Sequence, residues 1–205
     1  MTIKNILIFV DFTIKFNQLK RTIFATGEDR HENDSEHSYQ LAMVGWYIIS
    51  TKKLKYNIDK VIQYALVHDL VEIYAGDTFF YSDKATKDAK HKKETEARKK
   101  IEKNFKEFKA LSKLINDYEA KKDPESEFIY ALDKILPVMN IYLDEGRSWR
   151  EHNIEFDMLV ENKKKVVINK DVLEVWEELV GVVKEKKGEL FGESGKIKEF
   201  RDYRD

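Results

Sequence analysis

Apolar side chains recur at helical spacing along most of the chain, separated by charged positions, and two-residue alternation is scarce. The pattern predicts a first amphipathic helix over about residues 4–24, with Ile6, Phe9, Val10, Ile14 and Phe16 turned to the core. A polar stretch from Gly27 to Asp34 follows, and Asp34 or Ser35 is placed to cap a second helix reaching about residue 50. Asn57 or Asp59 caps a third, over about residues 59–74, closed by Gly76. Asp77 to Asp83 reads as a loop, aromatic in the middle and acidic at its ends. A charge-dense helix is expected over 84–106 and another over 107–121, and Asp123-Pro124 opens a long apolar one in which Pro137 is placed to make a bend. Two more helices are expected, over about 154–168 and 171–186, before a frayed, charged tail.

Composition narrows the classes. A chain of 205 residues with 42% hydrophobic and 12% aromatic residues has the means to bury one core, and no linker or repeat divides it. Two prolines and eight glycines are too few for a sandwich or barrel that must turn every ten residues or so. The 37 basic residues balance 38 acidic ones, so no excess of positive charge points to nucleic acid polymers or anionic membrane. The absence of cysteine removes disulfides, thiolate chemistry and every cysteine-ligated zinc or iron–sulfur site. Any metal would be held by His, Asp and Glu. The apolar burst Ile6–Val10 is too short for a signal peptide or a membrane span, so a cytoplasmic protein is expected.

The chemistry concentrates in three helices. Ala65 to Asp77 reads Ala-Leu-Val-His-Asp-Leu-Val-Glu-Ile-Tyr-Ala-Gly-Asp, an apolar helix interrupted by His68, Asp69 and Glu72. At about 100° per residue, Asp69 falls about 100° and Glu72 about 40° from His68, so the three share one arc. His37 lines up with Leu41, Val44 and Ile48, and Asp133 shares a face with Ile129 and Leu136. An ionisable group on an apolar stripe must be paired, hydrogen-bonded or bound to a metal. Taken singly, each has a plain structural reading. Taken together, one cation held by His37, His68, Asp69 and Asp133 is the economical explanation.

These residues, in this order and on separate helices, resemble the HD-domain metal-dependent phosphohydrolases. Glu32-Asn33-x-Ser35-Glu36-His37-Ser38, His68-Asp69-x-x-Glu72 and Gly76-Asp77 are similar to the 5′-deoxynucleotidase branch of that superfamily. The resemblance covers about residues 15–145 and implies an all-α, single-domain, HD-type helical bundle spanning residues 1–205. C-terminal helices over 146–188 and a charged tail over 189–205 lie outside the matched motifs. It implies one divalent metal ion (Mn, Co, Fe, Ni or Zn) on His37, His68, Asp69 and Asp133. Glu72 would orient or deprotonate the attacking water, and Asp77 would assist proton transfer or hold substrate. Arg21, Arg30 and Lys84 are the nearest basic residues for a phosphate. The implied substrate is a small phosphate ester, a (deoxy)nucleoside 5′-monophosphate first among them, handled by a homodimer. A triphosphate or another phosphate ester, or nucleotide binding without turnover, are the alternatives. The tryptophan that relatives carry before the first histidine is absent, and Thr78-Phe79-Phe80 replaces the prolines expected after Gly76-Asp77.

Overall fold

The computed structural model describes residues 2–76 and 84–191, with the backbone alone for 84–91. Its elements run α1 (Ile3–Gln18), β1 (Lys20–Phe24), β2 (His31–Asn33), α2 (Asp34–Lys52), α3 (Ile58–Val67), α4 (Glu72–Ala75), α5 (Lys84–Asn104) and α6 (Lys109–Glu119). Then follow α7 (Pro124–Leu143), α8 (Arg147–Glu151), α9 (Phe156–Val160), α10 (Lys163–Val166), α11 (Lys170–Glu185) and α12 (Lys187–Phe191). The expected all-α bundle is present, with one small antiparallel sheet added to it.

Helix α7 is the axis. Phe128, Ile129, Leu132, Ile135 and Leu136 are buried on it, and α2, α3, α6, α10 and α11 pack around it. Asp123 caps its N-terminus by accepting from the Ser126 N–H, Pro124 fits its first turn, and the helix continues through Pro137. A second, smaller apolar cluster joins Phe12 and Phe16 of α1 to Val67, Leu70 and Val71 and to Ile101, Phe105, Leu111 and Ile115. Tyr64 and Ala65 belong to the first cluster and Val67, Leu70 and Val71 to the second. His68 and Asp69 therefore sit at the seam between the two.

Six expectations need correction. The first helix ends at Gln18, not near residue 24: Leu19 is extended, and Thr22-Ile23-Phe24, β-branched and aromatic, pair with His31–Asn33. Within α1 the buried residues are Phe12 and Phe16, while Ile6, Val10 and Ile14 are exposed, because the Phe9–Phe12–Phe16 stripe packs on Phe105. A helix apolar on two faces does not declare which one is covered.

The cap of α2 is Asn33, whose side chain accepts from the Ser35 and Glu36 N–H groups while Glu36 reaches back to the Asn33 N–H. The expected third helix is interrupted: α3 stops at Val67, and tighter three-residue hydrogen bonds carry the chain through His68–Val71 to α4. The His68 ring contributes to that break by donating to the Ala65 carbonyl.

Between residues 145 and 191 the chain is more structured than its sequence pattern suggests, and the rest of the expected charged tail lies outside the described residues. Residues 154–168 form two short helices instead of one. The segment expected to fray after Gly188 begins in α12, with Leu190 buried and Phe191 stacked on Trp149. Gly146 has φ +79°, and a Cβ there would meet the Leu190 carbonyl oxygen at 2.3 Å, so glycine is required at that contact.

Candidate metal centre

The capping box at Asn33 fixes the first turn of α2 and carries His37 inward, where it is fully buried. Its Nε2 lies 2.9 Å from Oδ1 of Asp133, which projects from the middle of α7. At the end of α3, His68 donates Nδ1–H to the Ala65 carbonyl at 2.9 Å, which turns its Nε2 toward the same place. That Nε2 is 2.9 Å from Asp69 Oδ2 and 3.6 Å from Asp133 Oδ1. It is buried, and as the lone-pair nitrogen of a neutral imidazole it would meet no donor in these carboxylates. The four residues each offer one ligand atom, and the four atoms lie within 4.8 Å of one another. Two imidazole nitrogens and two carboxylate oxygens suit a divalent cation.

The charges say the same. Burial alone would hold His68 neutral, yet Asp69 and Asp133 outweigh it and lift His68 to about 10. Burial, with Arg21 nearby, pushes His37 down to about 4. Burial would raise both aspartates as well, but His68 holds Asp69 low, and Lys134 and His37 hold Asp133 low. The cluster thus demands positive charge between its carboxylates. A divalent cation between the two carboxylates would meet that demand.

Around this centre stands a ring of polar groups. Arg21, delivered by β1, places Nη1 3.1 Å from both Asp34 Oδ1 and Asp69 Oδ2, and its Nε 3.3 Å from Glu32 Oε2. Lys134 pairs with the second oxygen of Asp133. Tyr118 sets its ring edge against His68, with centroids 5.9 Å apart. Glu72 is buried at the start of α4, and its carboxylate forms a second group within 4.8 Å with Asp34 and Asp69.

Of the residues expected from sequence, the fold thus brings together His37, His68, Asp69, Asp133, Glu72 and Arg21. Arg30 is engaged with Glu28 and Glu36 at 2.7 Å each, at the edge of the hairpin. Asp77 lies outside the described residues, as does the side chain of Lys84. Sequence reasoning missed Glu32 and Asp34 as members of the cage, and Lys134 as more than a surface neighbour of Asp133. Glu32 ends up in β2 and Asp34 in the first turn of α2, on either side of the Asn33 cap, and no local signal marked either. The same holds for Lys134.

A family model described as the HD domain matches residues 15–176. The chain belongs to the HD-domain family. The family match extends beyond residue 145, where the motif resemblance stopped, and takes in α8–α10 and part of α11. The HD chain is 35% identical over 107 residues to the 5′-deoxynucleotidase HDDC2 of Homo sapiens, covering 51% of this chain and 50% of that one. With the Dictyostelium discoideum protein of the same name it shares 32% identity over 157 residues, 73% of this chain and 82% of that one. The chain spans about half the length of the human and mouse relatives. Among solved structures, a predicted metal-dependent phosphohydrolase from Magnetospirillum magnetotacticum MS-1 is 25% identical with a TM-score of 0.76, over 90% of this chain and 96% of that one. The PH0347 protein of Pyrococcus horikoshii OT3, at 18% identity and a TM-score of 0.61 over 90% and 99% of the two chains, shares the fold.

Proposed function

We propose that this HD-domain protein is a metal-dependent phosphohydrolase that releases phosphate from (deoxy)nucleoside 5′-monophosphates. The observation that carries the proposal is the cluster of two imidazole nitrogens and two carboxylate oxygens, three of its four residues buried, within 4.8 Å of one another. The relatives named as 5′-deoxynucleotidases support the substrate class.

In this reading His37, His68, Asp69 and Asp133 hold one divalent cation, of manganese, cobalt, iron, nickel or zinc. Such an ion, when bound, supplies Lewis acidity that neutralises charge on the phosphoryl oxygens. Glu72, buried beside Asp69, accepts a proton from the attacking water. Lys134, fixed against Asp133, and Arg21, fixed against Asp69, keep the ligand carboxylates ionised. A bond forms between the water oxygen and phosphorus, the ester P–O bond breaks, and the leaving nucleoside oxygen takes up a proton. Asp77 is assigned to that proton transfer, or to holding substrate, on the strength of the motif. Arg21, Arg30 and Lys84 remain the proposed phosphate contacts, and the closeness of Arg21 to Asp69 supports its share in that role.

The proposal includes a homodimer working in the cytoplasm on small molecules, not on nucleic acid polymers or membranes. Charge is balanced over the chain, and among the described residues no helix is long and apolar enough to cross a membrane. Two helix faces left apolar in water support self-association: Ile3, Leu7, Val10 and Ile14 of α1, and Tyr39, Met43, Trp46 and Tyr47 of α2.

Phosphate release from dAMP, AMP, dATP and a sugar phosphate, with manganese or cobalt supplied, tests the substrate. The monophosphates are expected to turn over fastest. Faster hydrolysis of dATP, with pyrophosphate or triphosphate as product, contradicts the monophosphatase reading.

A further inference from the structure

A ligand imidazole needs its second ring nitrogen held, or the ring turns and the wrong nitrogen carries the hydrogen. For His68 the Ala65 carbonyl does this from the preceding turn. For His37 no backbone acceptor plays that part. Its Nδ1 is buried without a hydrogen-bond partner and faces Oε2 of Glu32 across 3.7 Å.

That carboxylate is itself buried and anchored from two sides. Asn140 of α7 donates to Glu32 Oε1 at 3.1 Å, and Asn140 is in turn locked to Gln40 of α2 by bonds of 2.7 and 2.9 Å. Arg21 Nε stands 3.3 Å from Oε2, while Nη1 of the same guanidinium reaches Asp69 at 3.1 Å. His37 and Glu32 are buried, Arg21 and Asp69 half-buried, and the four follow one another across separations of 3.7, 3.3 and 3.1 Å. The series joins two of the four cluster residues through the only sheet among the described residues.

We propose that Glu32 is the positioning residue for His37: it accepts the Nδ1–H and presents Nε2 to the cation, while Arg21 ties the same carboxylate to Asp69. The inference rests on the reading of His37 and Asp69 as metal ligands. It gives the β1–β2 hairpin a purpose in an otherwise helical fold, since β1 delivers Arg21 and β2 delivers Glu32. A gap of 3.7 Å is too long for a hydrogen bond. When Nε2 turns its lone pair to a cation the ring hydrogen resides on Nδ1, where Glu32 is the acceptor at hand.

The test is cobalt(II) binding to the metal-free protein, by calorimetry and by the visible absorption of the bound ion, for the parent, Glu32→Gln, Glu32→Asp and Asp34→Asn. Asp34→Asn removes a carboxylate that shares the same arginine and serves as the comparison for a lost charge near the centre. Glu32→Gln is expected to weaken cobalt binding ~10–100-fold, beyond the Asp34→Asn effect, and to shift the absorption bands. Glu32→Asp, which keeps the charge but shortens the reach, is expected to fall between, and it carries the test if the glutamine variant does not fold. If Glu32→Gln matches Asp34→Asn in affinity with parental bands, or Glu32→Asp matches the parent, Glu32 has no such role and the metal-centre reading stands. A parent that takes up no cobalt overturns both.

Discussion

His68 shows how one side chain can set both backbone and chemistry. Its Nδ1–H goes to the Ala65 carbonyl, which helps to end α3 and turns Nε2 toward two carboxylates. Glu72 follows one turn later, buried but offset from the four ligand atoms, where a base can act on water without being a ligand. Glu72→Gln is therefore expected to keep its metal and its fold and to lose ~10²–10⁴ in turnover. Metal analysis together with steady-state rates checks this. Turnover within a few-fold of the parent would make Glu72 a structural carboxylate.

These residues were legible because ionisable groups stood on apolar stripes, a conflict that only pairing or a cation resolves. Glu32, Asp34 and Lys134 were not, because each lies beside other charged or polar residues in sequence. Nothing local distinguishes a charge that folds inward from one that stays in water.

At the scale of elements, caps and periodicity placed α2, α5, α6, α7 and α11 to within a few residues. They failed at the hairpin and around His68–Val71, where five-residue and three-residue strands and a side-chain-to-backbone bond override helical spacing. Asp123 shows an element held from outside itself. It caps α7 and also accepts from Tyr64 and Lys60 of α3.

Burial would raise the Asp123 carboxyl, but Lys60, the Ser126 N–H and Tyr64 overcome that and hold it below the usual value. The stability it adds is present above about pH 4 and is lost as pH falls through the lowered value. Asp123→Asn, which keeps a capping oxygen, is expected to cost ~1 kcal/mol near neutral pH. The difference should shrink toward pH 3. Urea unfolding at both pH values checks it, and a difference that does not change with pH would remove the ion pair from the account.

For the whole molecule, the bundle gathers groups from α2, the α3–α4 turn, α7 and the hairpin at the seam between two apolar clusters. The sequence pattern foretold a helical bundle around a long apolar helix and Phe16 of α1 in the core, but not that Ile6, Val10 and Ile14 would stay outside with Ile3 and Leu7. If those residues and the exposed aromatics of α2 join two copies, Leu7→Glu with Tyr47→Glu should convert a dimer to a monomer in light scattering while the fold is kept. A parent that is monomeric at all concentrations would leave that surface to another partner.

The central claim is that His37, His68, Asp69 and Asp133 form one metal centre, and metal content tests it most directly. Protein loaded with manganese or cobalt and freed of excess should hold one ion per chain. His68→Ala and Asp69→Ala should each hold little or none and should unfold more easily, since the remaining carboxylates lose the charge that permits their burial. Stoichiometric metal retained in both variants would contradict the assignment.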